Sequence, residues 1–375
     1  MSRSGKQLVL VGGGHAHMVT LARIPEFIRR GVGVTVIGPS DYHYYSGMGP
    51  GMLGGTYTPD QVRFATRRMV EKGGGVFVKE RAVGVDPGTQ AVILSSGERI
   101  PYDVVSFNVG SHISQKILGP GARDVFPVKP IEGLMAARDR ILALARSKRP
   151  IIGIVGGGPS SAEIAGNVRQ LVRNRGGMLP IIYIVAGTRF MARFPDRVRD
   201  RVQGTLTAWE IDILEGCRVR EVASGSMVLD NGRRLATDLV FLAQGVKPSS
   251  LFQDSGLATG PDQGLLVNPF LQSVDHPDIF GGGDCIHFKE RPLTKVGVYA
   301  VRQNPVLFHN LLARLTGEAL LPFDPGGDYL FIFNLGQGRG VLKKGWMELS
   351  GRLAFQIKDR IDRRFMERFQ TLERP

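Results

Sequence analysis

Two short apolar runs in the chain are each followed directly by three glycines. The first run, Gln7 to Val11, ends in Gly12-Gly13-Gly14, and a helical stretch to about Arg30 separates it from a further apolar run, Val32 to Ile37. Apolar runs of this length bounded by glycine are typical of buried strands, and the order strand, glycine turn, helix, strand is that of a dinucleotide-binding unit. The N-terminal pattern therefore predicts a βαβ unit.

The same pattern recurs in the middle of the chain. The run Ile151 to Val155 leads into Gly156-Gly157-Gly158, a helix is predicted from Ser160 to about Asn174, and another strand from Ile181 to Val185. Two copies of one supersecondary unit predict two dinucleotide-binding halves.

Each unit is followed by weaker strand patterns. These cover residues 75–85, 91–94 and 103–108 after the first unit, and 219–222, 227–229 and 239–243 after the second. A further strand over residues 275–284 ends in Gly281-Gly282-Gly283-Asp284, and a helix follows from about Val296 to Thr316. We therefore predict an α/β fold of two Rossmann-like dinucleotide-binding domains, one inserted in the other. The first domain would cover residues 1–115 and 235–325, the inserted domain 116–234, and a C-terminal segment 326–375.

A basic amphipathic helix is predicted over residues 351–371 of the C-terminal segment. Its apolar residues recur every four positions, and six basic residues lie on the remaining faces. The apolar set is Leu353, Ile357, Ile361, Phe365 and Phe369, and the basic set is Arg352, Lys358, Arg360, Arg363, Arg364 and Arg368. Such a helix can lie on an anionic membrane surface with its apolar side down. It can equally pack against its own domain, or against a second subunit in a homodimer.

Composition narrows the class of protein. A chain of 375 residues with 42% hydrophobic residues suits two or three globular domains. The net charge of +14 favours an anionic partner, but no nucleic-acid-binding motif accompanies it, so we expect cofactor phosphates or anionic lipid and no nucleic acid. The start of the chain lacks a signal-peptide pattern, and no stretch of the chain approaches 18 apolar residues. We therefore expect a cytoplasmic protein, either free or on the inner face of the cell membrane.

The two cysteines, Cys217 and Cys285, lie far apart and in no metal-ligand spacing, and the seven histidines show none either. No metal site and no disulfide framework are expected, and a reducing compartment is favoured.

The first glycine turn carries the features of a phosphate site. Gly12 permits the tight turn, and Gly14 allows a pyrophosphate to approach the helix N-terminus, where free N–H groups favour anions. We expect His15 to touch phosphate. His17 stands where a third small residue is usual and is expected to be a packed residue. No acid ends the following strand; Asp41, three residues past Gly38, either reaches the ribose or stabilises a turn.

The second turn has small residues at its packing positions, with Gly156, Gly158 and Pro159 shaping it. The strand after it also lacks a ribose-binding acid, since Ala186 and Gly187 occupy its end. A missing carboxylate with Arg189 nearby favours a 2′-phosphate, hence NADPH over NADH. The alternative is that Arg189 is a solvated loop charge.

Four longer motifs extend this picture: GGGHAHM at 12–18, YSGMGPGML at 45–53, KVGVYAVRQNPVL at 295–307 and IKDRIDRRFMERFQ at 357–370. With the two glycine turns, they resemble the pyridine nucleotide-disulfide oxidoreductase superfamily, and within it the type II NADH dehydrogenase-like and sulfide:quinone reductase-like flavoproteins. The similarity is greatest to the NADH dehydrogenase-like proteins associated with selenophosphate synthetase. It implies FAD in the first domain, NADH or NADPH as co-substrate in the inserted one, and electron transfer to a quinone or similar small acceptor.

The resemblance also implies roles for individual residues. Asp284 matches the acid that binds the FAD ribityl and pyrophosphate region, and Lys295 matches the lysine before the helix that faces the flavin pyrimidine end. The remaining matches lie in a strand that meets adenine and in two segments that link the domains beside the flavin: Ala82, Val83, Gly110 and Gly245.

Glu163, five residues after the last glycine of the second turn, matches an acid between nicotinamide and flavin. Such a carboxylate pairs with a lysine or relays protons when quinone is reduced. The alternative is that Glu163 only caps or orients its own helix. We take Glu163 and Lys295 as the candidate catalytic residues.

The cysteines bear on the sister activities of the superfamily. A pair of redox cysteines four residues apart is absent, and Cys217 and Cys285 stand in no redox motif. A thiol-free electron path is therefore expected. Two alternatives stay open: an oxidoreductase acting on a sulfur or selenium species, and a non-catalytic FAD-binding partner whose nicotinamide site has decayed.

Overall fold

The secondary structure runs in two similar series followed by a C-terminal unit. The structure, a computed structural model, describes residues 5–373. The strands are β1 (Gln7–Val11), β2 (Gly33–Ile37), β3 (His43–Tyr44), β4 (Arg63–Phe64), β5 (Val76–Val78), β6 (Ala82–Asp86), β7 (Ala91–Leu94), β8 (Arg99–Pro101), β9 (Val104–Phe107), β10 (His112–Ile113), β11 (Val125–Pro127), β12 (Ile151–Val155), β13 (Ile181–Gly187), β14 (Ile211–Glu215), β15 (Val219–Ala223), β16 (Ser226–Leu229), β17 (Arg234–Ala236), β18 (Leu239–Leu242), β19 (Val246–Lys247), β20 (Leu265–Val267), β21 (Ile279–Gly281), β22 (Ile286–Phe288), β23 (Phe331–Gly336), β24 (Arg339–Lys344) and β25 (Met347–Gly351).

The α-helices are α1 (Met18–Ala22), α2 (Ile24–Arg29), α3 (Gly49–Leu53), α4 (Thr66–Lys72), α5 (Gly133–Ser147), α6 (Pro159–Arg175), α7 (Asp196–Thr207), α8 (Leu251–Asp254), α9 (Gly297–Thr316) and α10 (Arg352–Gln370). None of these helices, within residues 5–373, is long and apolar enough to cross a bilayer.

Two five-stranded parallel sheets form the centres of the two halves. The first has the order β21-β9-β1-β2-β5, and the second has the order β11-β18-β12-β13-β14. In both, the strand that precedes the glycine turn is central, and its continuous apolar sequence reflects burial on both faces of the sheet. A three-stranded antiparallel sheet follows each series, β6-β7-β8 in the first half and β15-β16-β17 in the second. The predicted repeat of one unit is confirmed.

The predicted boundary between residues 234 and 235 is too early. β18 pairs in parallel with β12, so the strand at residues 239–242 completes the second sheet and does not return to the first. The chain leaves the second half just after this strand. There β19 pairs antiparallel with β10, and Gln244 Nε2 donates to Ser114 O at 3.0 Å.

The predicted single helix to Arg30 is broken. His15–His17 form a 3-10 turn, and α1 and α2 are separated at Arg23. Pro25 lies in the first turn of α2, where its missing N–H costs nothing, whereas inside a continuous helix it would clash with the preceding turn.

The C-terminal unit joins the two halves. β23, β24 and β25 form an antiparallel sheet, with β23 against α6 of the second half and α10 lying across β24. α10 also contacts β4 of the first half. The C-terminal unit therefore packs against elements of both halves.

Candidate active site

Asn108 determines the shape of the first glycine turn. Gly12 adopts a φ of +89°, and a Cβ there would lie 2.3 Å from Asn108 O. A Cβ on Gly14 would lie 1.7 Å from Asn108 Oδ1, so both glycines make room for this asparagine. A Cβ on Gly13 would lie 2.6 Å from the Thr66 side chain. Asn108 Nδ2 also donates to Gly282 O at 2.7 Å, which ties the turn to the segment before Asp284.

His17 is fully buried beneath this turn. Its Nδ1 lies 2.7 Å from Gly12 O and its Nε2 lies 2.8 Å from Ser106 Oγ. Since a carbonyl can only accept, Nδ1 carries the proton and Nε2 accepts from the Ser106 hydroxyl. Burial lowers the pKa of His17 to about 4, so the ring is neutral. The prediction that His17 is a packed residue is confirmed.

His15 lies in an aromatic cluster under α10. Its ring centroid is 5.1 Å from those of His43 and Tyr45, and it stacks on Phe365 at 5.7 Å. Burial, with the neighbouring His43 and Lys129, lowers the pKa of His15 to about 3. Its Nε2 is buried without a hydrogen-bond partner in the protein. A buried nitrogen of this kind costs free energy unless a ligand satisfies it, which fits a bound group at this turn.

Asp284 is held as a charged group near the same turn. Its Oδ2 accepts from Lys129 Nζ at 2.7 Å and from Ser111 Oγ at 2.8 Å, and 11% of its side chain is exposed. Burial opposes the negative charge, yet the ammonium of Lys129 and these hydrogen bonds keep the pKa of Asp284 below its ordinary value. Sequence reasoning did not identify Lys129. Both contacts fall on Oδ2, so Oδ1 is the oxygen that can face a ligand hydroxyl.

Lys295 lines a small cavity at the start of α9, together with Asp284, Thr294, Tyr299 and Gln303. Its Nζ pairs with Asp262 at 2.7 Å and donates to Ile286 O, and 15% of the side chain is exposed. Its charge is thus balanced by an acid that sequence reasoning did not identify. The proposed place of Lys295 beside the isoalloxazine remains a prediction.

The second glycine turn differs in being open. Gly156 has a φ of +129°, and a Cβ there would lie 2.5 Å from Ala243 O. A Cβ on Gly157 would lie 2.5 Å from Ala186 O, so these two glycines fit the turn between its neighbouring strands. Gly158, in contrast, has no atom within 4 Å of where its Cβ would be, and Pro159 begins α6 directly after it. This leaves space over the helix N-terminus, as a phosphate group requires.

Glu163 faces the C-terminal unit. Its Oε1 accepts from Asn334 N of β23 at 2.8 Å, so the carboxylate does not simply cap its own helix. Burial raises the pKa of Glu163 to about 7, although the charge of Lys358 and the bond from Asn334 act in the opposite direction. A carboxyl group with this pKa is near half-protonation at neutral pH, as general acid–base catalysis requires.

Lys358 and Asp362 form a buried ion pair on α10. Lys358 Nζ lies 2.5 Å from Asp362 Oδ2 and 2.7 Å from Gly47 O. Tyr45 donates its hydroxyl to Asp362 Oδ1 at 3.1 Å. The burial of these two charges could not be predicted from the sequence, because they stand among the arginines of a basic helix.

The prediction that the apolar residues of α10 form one continuous face is therefore wrong. Side chains four residues apart drift by about 40° around a helix, so Leu353 and Phe369 differ by about 160°. Phe365 and Phe369 pack inward on Phe64, each with its ring centroid 6.1 Å away, whereas Leu353 and Ile361 are 55% and 46% exposed.

A row of aromatic rings runs from α9 to the loop after β13. Tyr299 contacts Tyr329, Tyr329 contacts Phe331, and Phe331 contacts Phe194, with centroid distances of 5.5, 4.4 and 5.2 Å. All four rings are partly exposed. The row offers stacking surfaces for a planar substrate between the two halves.

The surroundings of the two cysteines do not support a role for either thiol in electron transfer. Both are free and buried, and they lie in different halves. Burial raises the pKa of Cys285 to about 11, and its thiol donates to Phe107 O and Gly282 O. Burial also raises the pKa of Cys217. Neither thiol is therefore the reactive thiolate at neutral pH.

The charged residue of each predicted ribose region is paired. Asp41 pairs with Arg67 of α4 at 2.8 Å and with Lys79, which follows β5, at 2.7 Å. Arg189 pairs with Asp196, and both side chains are largely exposed.

Comparisons with known proteins agree with this geometry. The family model described as pyridine nucleotide-disulphide oxidoreductase matches residues 6–304. Ferroptosis suppressor protein 1 of Taeniopygia guttata is 26% identical over 285 residues, covering 72% of this chain and 71% of that protein. Type II NADH:quinone oxidoreductase of Staphylococcus saprophyticus is 24% identical, covering 97% and 96%. The structure of NDH2 from Plasmodium falciparum in complex with NADH shares the fold, with a TM-score of 0.83, 16% identity, and coverage of 98% and 96%.

Proposed function

The chain belongs to the pyridine nucleotide-disulphide oxidoreductase family, and we propose that it is an FAD-dependent oxidoreductase that oxidises NADH or NADPH and reduces a quinone or a similar small acceptor. The relative that matches nearly the whole chain is named as a type II NADH:quinone oxidoreductase, which supports this choice of acceptor.

The first half fits FAD. Gly12, Gly13 and Gly14 form a tight turn against Asn108 and Thr66, and the unpartnered Nε2 of His15 offers a hydrogen bond beside it. Asp284, held by Lys129, would bind ribityl hydroxyls. Ala82, Val83 and Gly110 complete the proposed FAD contacts. When bound, FAD would take a hydride from the nicotinamide and pass its electrons to the acceptor.

The second half fits the nicotinamide cofactor. Its pyrophosphate would lie on the open turn at Gly156, Gly158 and Pro159, where the N-terminus of α6 provides N–H groups. Gly245 follows the strand that borders this turn, in the segment that returns to the first half.

The observation that carries the proposal is the position of Glu163, a carboxyl group near the start of α6 that accepts from Asn334 N of β23 at 2.8 Å. Reduction of a quinone to a quinol by NAD(P)H consumes one proton in addition to the hydride. Glu163, with a pKa of about 7 and the ammonium of Lys358 in its electrostatic surroundings, can hold this proton and be reprotonated at neutral pH. The row of Tyr299, Tyr329 and Phe331 would stack on the planar acceptor.

The test is anaerobic reduction of a water-soluble quinone by NADH or NADPH, with purified protein loaded with FAD. We expect quinol formation, and we expect the Cys217→Ala, Cys285→Ala double variant to retain most of it because both thiols are buried. If the flavin absorbance bleaches but only a sulfur or selenium species reoxidises it, the quinone assignment is wrong. If neither nucleotide bleaches the flavin, the protein is a non-catalytic FAD-binding partner.

We also propose that the protein lies in the cytoplasm and binds peripherally to the inner face of an anionic cell membrane. Leu353 and Ile361 remain exposed on α10, next to the exposed Arg352, Arg360 and Arg364. This is a smaller apolar surface than the sequence predicted, so the contact with lipid would be shallow and sensitive to salt. Pairing of this same surface with a second copy is the alternative.

A further inference from the structure

The carboxyl end of β13 carries no acid. It ends in Ala186 and Gly187, at the position where dinucleotide folds place the carboxylate that binds the ribose 2′-hydroxyl of NADH. Gly187 has a φ of +75°, in the region that favours glycine. A side chain that could reach the ribose must therefore come from a neighbouring segment.

The acid nearest to this strand end along the sheet is already engaged. Glu215 ends β14 and stands opposite Gly187 in the strand pairing. Its Oε1 accepts from Phe190 N at 2.6 Å, and it pairs with Arg199 at 3.4 Å. These contacts balance its charge and direct it to the loop after β13. Glu215 therefore does not take the role of the missing acid.

Two arginines flank the same strand end. Arg189 lies two residues beyond Gly187, with 47% of its side chain exposed. Arg218 immediately precedes β15, and its Cγ lies 4.0 Å from where a Cβ on Gly187 would be. The guanidinium group of arginine binds phosphate with two parallel hydrogen bonds. The strand end thus offers positive charge where NADH-binding folds offer negative charge.

The ion pair between Arg189 and Asp196 is weak. Asp196 is 69% exposed, and an ion pair between exposed side chains contributes little to stability. Arg189 can therefore exchange Asp196 for a doubly charged phosphate without leaving a buried charge unpaired.

We propose that this protein selects NADPH over NADH, with Arg189 as the main contact and Arg218 as the second contact of the 2′-phosphate. This inference rests on the proposed function for the role of the nicotinamide cofactor. It extends that function by naming the cofactor and the residues that choose it.

The test begins with nucleotide fragments, because their binding needs no electron acceptor. Calorimetry with the FAD-loaded protein should show that 2′,5′-ADP binds about tenfold or more tightly than 5′-AMP, as expected for a charge-assisted hydrogen bond. Arg189→Ala should abolish most of this difference, Arg189→Lys should restore part of it, and Arg218→Ala should reduce it less. Arg175→Ala is the matched control, since this exposed arginine ends α6 at the opposite edge of the sheet. FAD content should be unchanged in all four variants.

The second measurement is kcat/KM with NADPH and with NADH for the same quinone. We expect NADPH to be preferred, and Arg189→Ala to lower kcat/KM for NADPH but not for NADH. Equal binding of the two fragments, or an unchanged NADPH preference in Arg189→Ala, would overturn the inference. If NADH reduces the quinone better, the proposed function stands and this inference fails. If 2′,5′-ADP binds through Arg189 but no quinone is reduced, this inference stands and the proposed function fails.

Discussion

Lys358 and Asp362 lie one turn apart on α10 and form an ion pair of 2.5 Å, with only 9% and 5% of their side chains exposed. The segment between β3 and α3 holds both side chains. Lys358 Nζ donates to Gly47 O, and Asp362 accepts from the Tyr45 hydroxyl. The charges of Lys358 and Asp362 both act on the pKa of Glu163, which Lys358 lowers and Asp362 raises. The C-terminal helix therefore influences the charge of a candidate catalytic residue.

Removal of one member of this pair should destabilise the protein strongly. Asp362→Leu leaves Lys358 buried and unpaired, and we expect a loss of about 3–5 kcal/mol in the free energy of unfolding. The double variant Lys358→Met, Asp362→Leu should recover much of it, since no charge then stays buried. Urea unfolding followed by circular dichroism measures both.

The control for this experiment is Asp124→Asn. Asp124 pairs with Arg140 at the surface and has a φ of +52°, which asparagine tolerates. Asp124→Asn should lower the free energy of unfolding by less than about 1 kcal/mol. If the double variant loses as much stability as Asp362→Leu and the single variant Lys358→Met lose together, the charges of Lys358 and Asp362 are not coupled.

Quinone reduction should depend on the protonation of Glu163. Because burial raises its pKa to about 7, the proton-donating form dominates below that pH and is lost as the pH rises through it. We expect kcat for quinone reduction to fall above about pH 7, and Glu163→Gln to be slower by about 10²-fold and to lack this pH dependence. Stopped-flow absorbance separates this step from flavin bleaching by NAD(P)H, which Glu163→Gln should largely retain. An unchanged pH profile in Glu163→Gln would show that another group supplies the proton.

FAD retention should depend on the charge of Asp284. Asp284→Ala removes a hydrogen bond to a charged group, worth about 1.5–3 kcal/mol, and should release FAD during gel filtration. In the native protein Lys129 keeps the pKa of Asp284 low, so the charge and the FAD should persist at mildly acidic pH.

Lys129→Met should make FAD retention sensitive to pH. Without the ammonium, burial raises the pKa of Asp284, so protonation occurs at a higher pH and FAD should be lost between neutral and mildly acidic buffer. The FAD content at pH 5 and pH 7 measures this. Lys148→Met is the control, because Lys148 pairs with Asp238 beside β12. Equal FAD content for Lys129→Met at both pH values would contradict the proposed role of the pair.

The two sides of α10 should respond differently to substitution. Leu353→Ser with Ile361→Ser changes exposed side chains and should reduce flotation with anionic liposomes at low salt while leaving stability unchanged. Phe365→Ala should cost about 3–5 kcal/mol of stability, because its ring packs on His15, Tyr45 and Phe64. Val301→Ser, on the exposed face of α9, is the control for flotation. If the native protein ignores such liposomes and Leu353→Ser with Ile361→Ser instead converts a dimer to a monomer, the surface is a subunit interface.

The duplicated fold was predictable because its signals are local. A buried strand, three glycines and a helix follow one another within about thirty residues in each half, and β1 and β12 have the predicted bounds. The packing of His17 was also predictable, since a large residue replaces a small one at a position where helix and strand meet.

The residues that pair with Asp284 and Glu163 could not be predicted from the spacing of residues along the chain. Lys129 is 155 residues from Asp284 in the chain, and Asn334 is 171 residues from Glu163. These pairs form only after β23 and the linking segments have been placed by the fold. Lys358 and Asp362 were missed for another reason, since a charged residue on a basic helix carries no sign of burial unless its partner is known.

The antiparallel pairing of β10 with β19 suggests how the two-domain gene evolved. Because these strands pair, the chain enters and leaves the inserted half at neighbouring points, His112 beside Lys247. A gene segment coding for one half can therefore join the gene for the other in a single event, without separating the ends that it interrupts. Four strands follow the same order in both sheets, β9-β1-β2-β5 in the first and β18-β12-β13-β14 in the second, as two descendants of one ancestral gene would retain. The same geometry makes the inserted half a unit that natural recombination can exchange for another of different coenzyme preference.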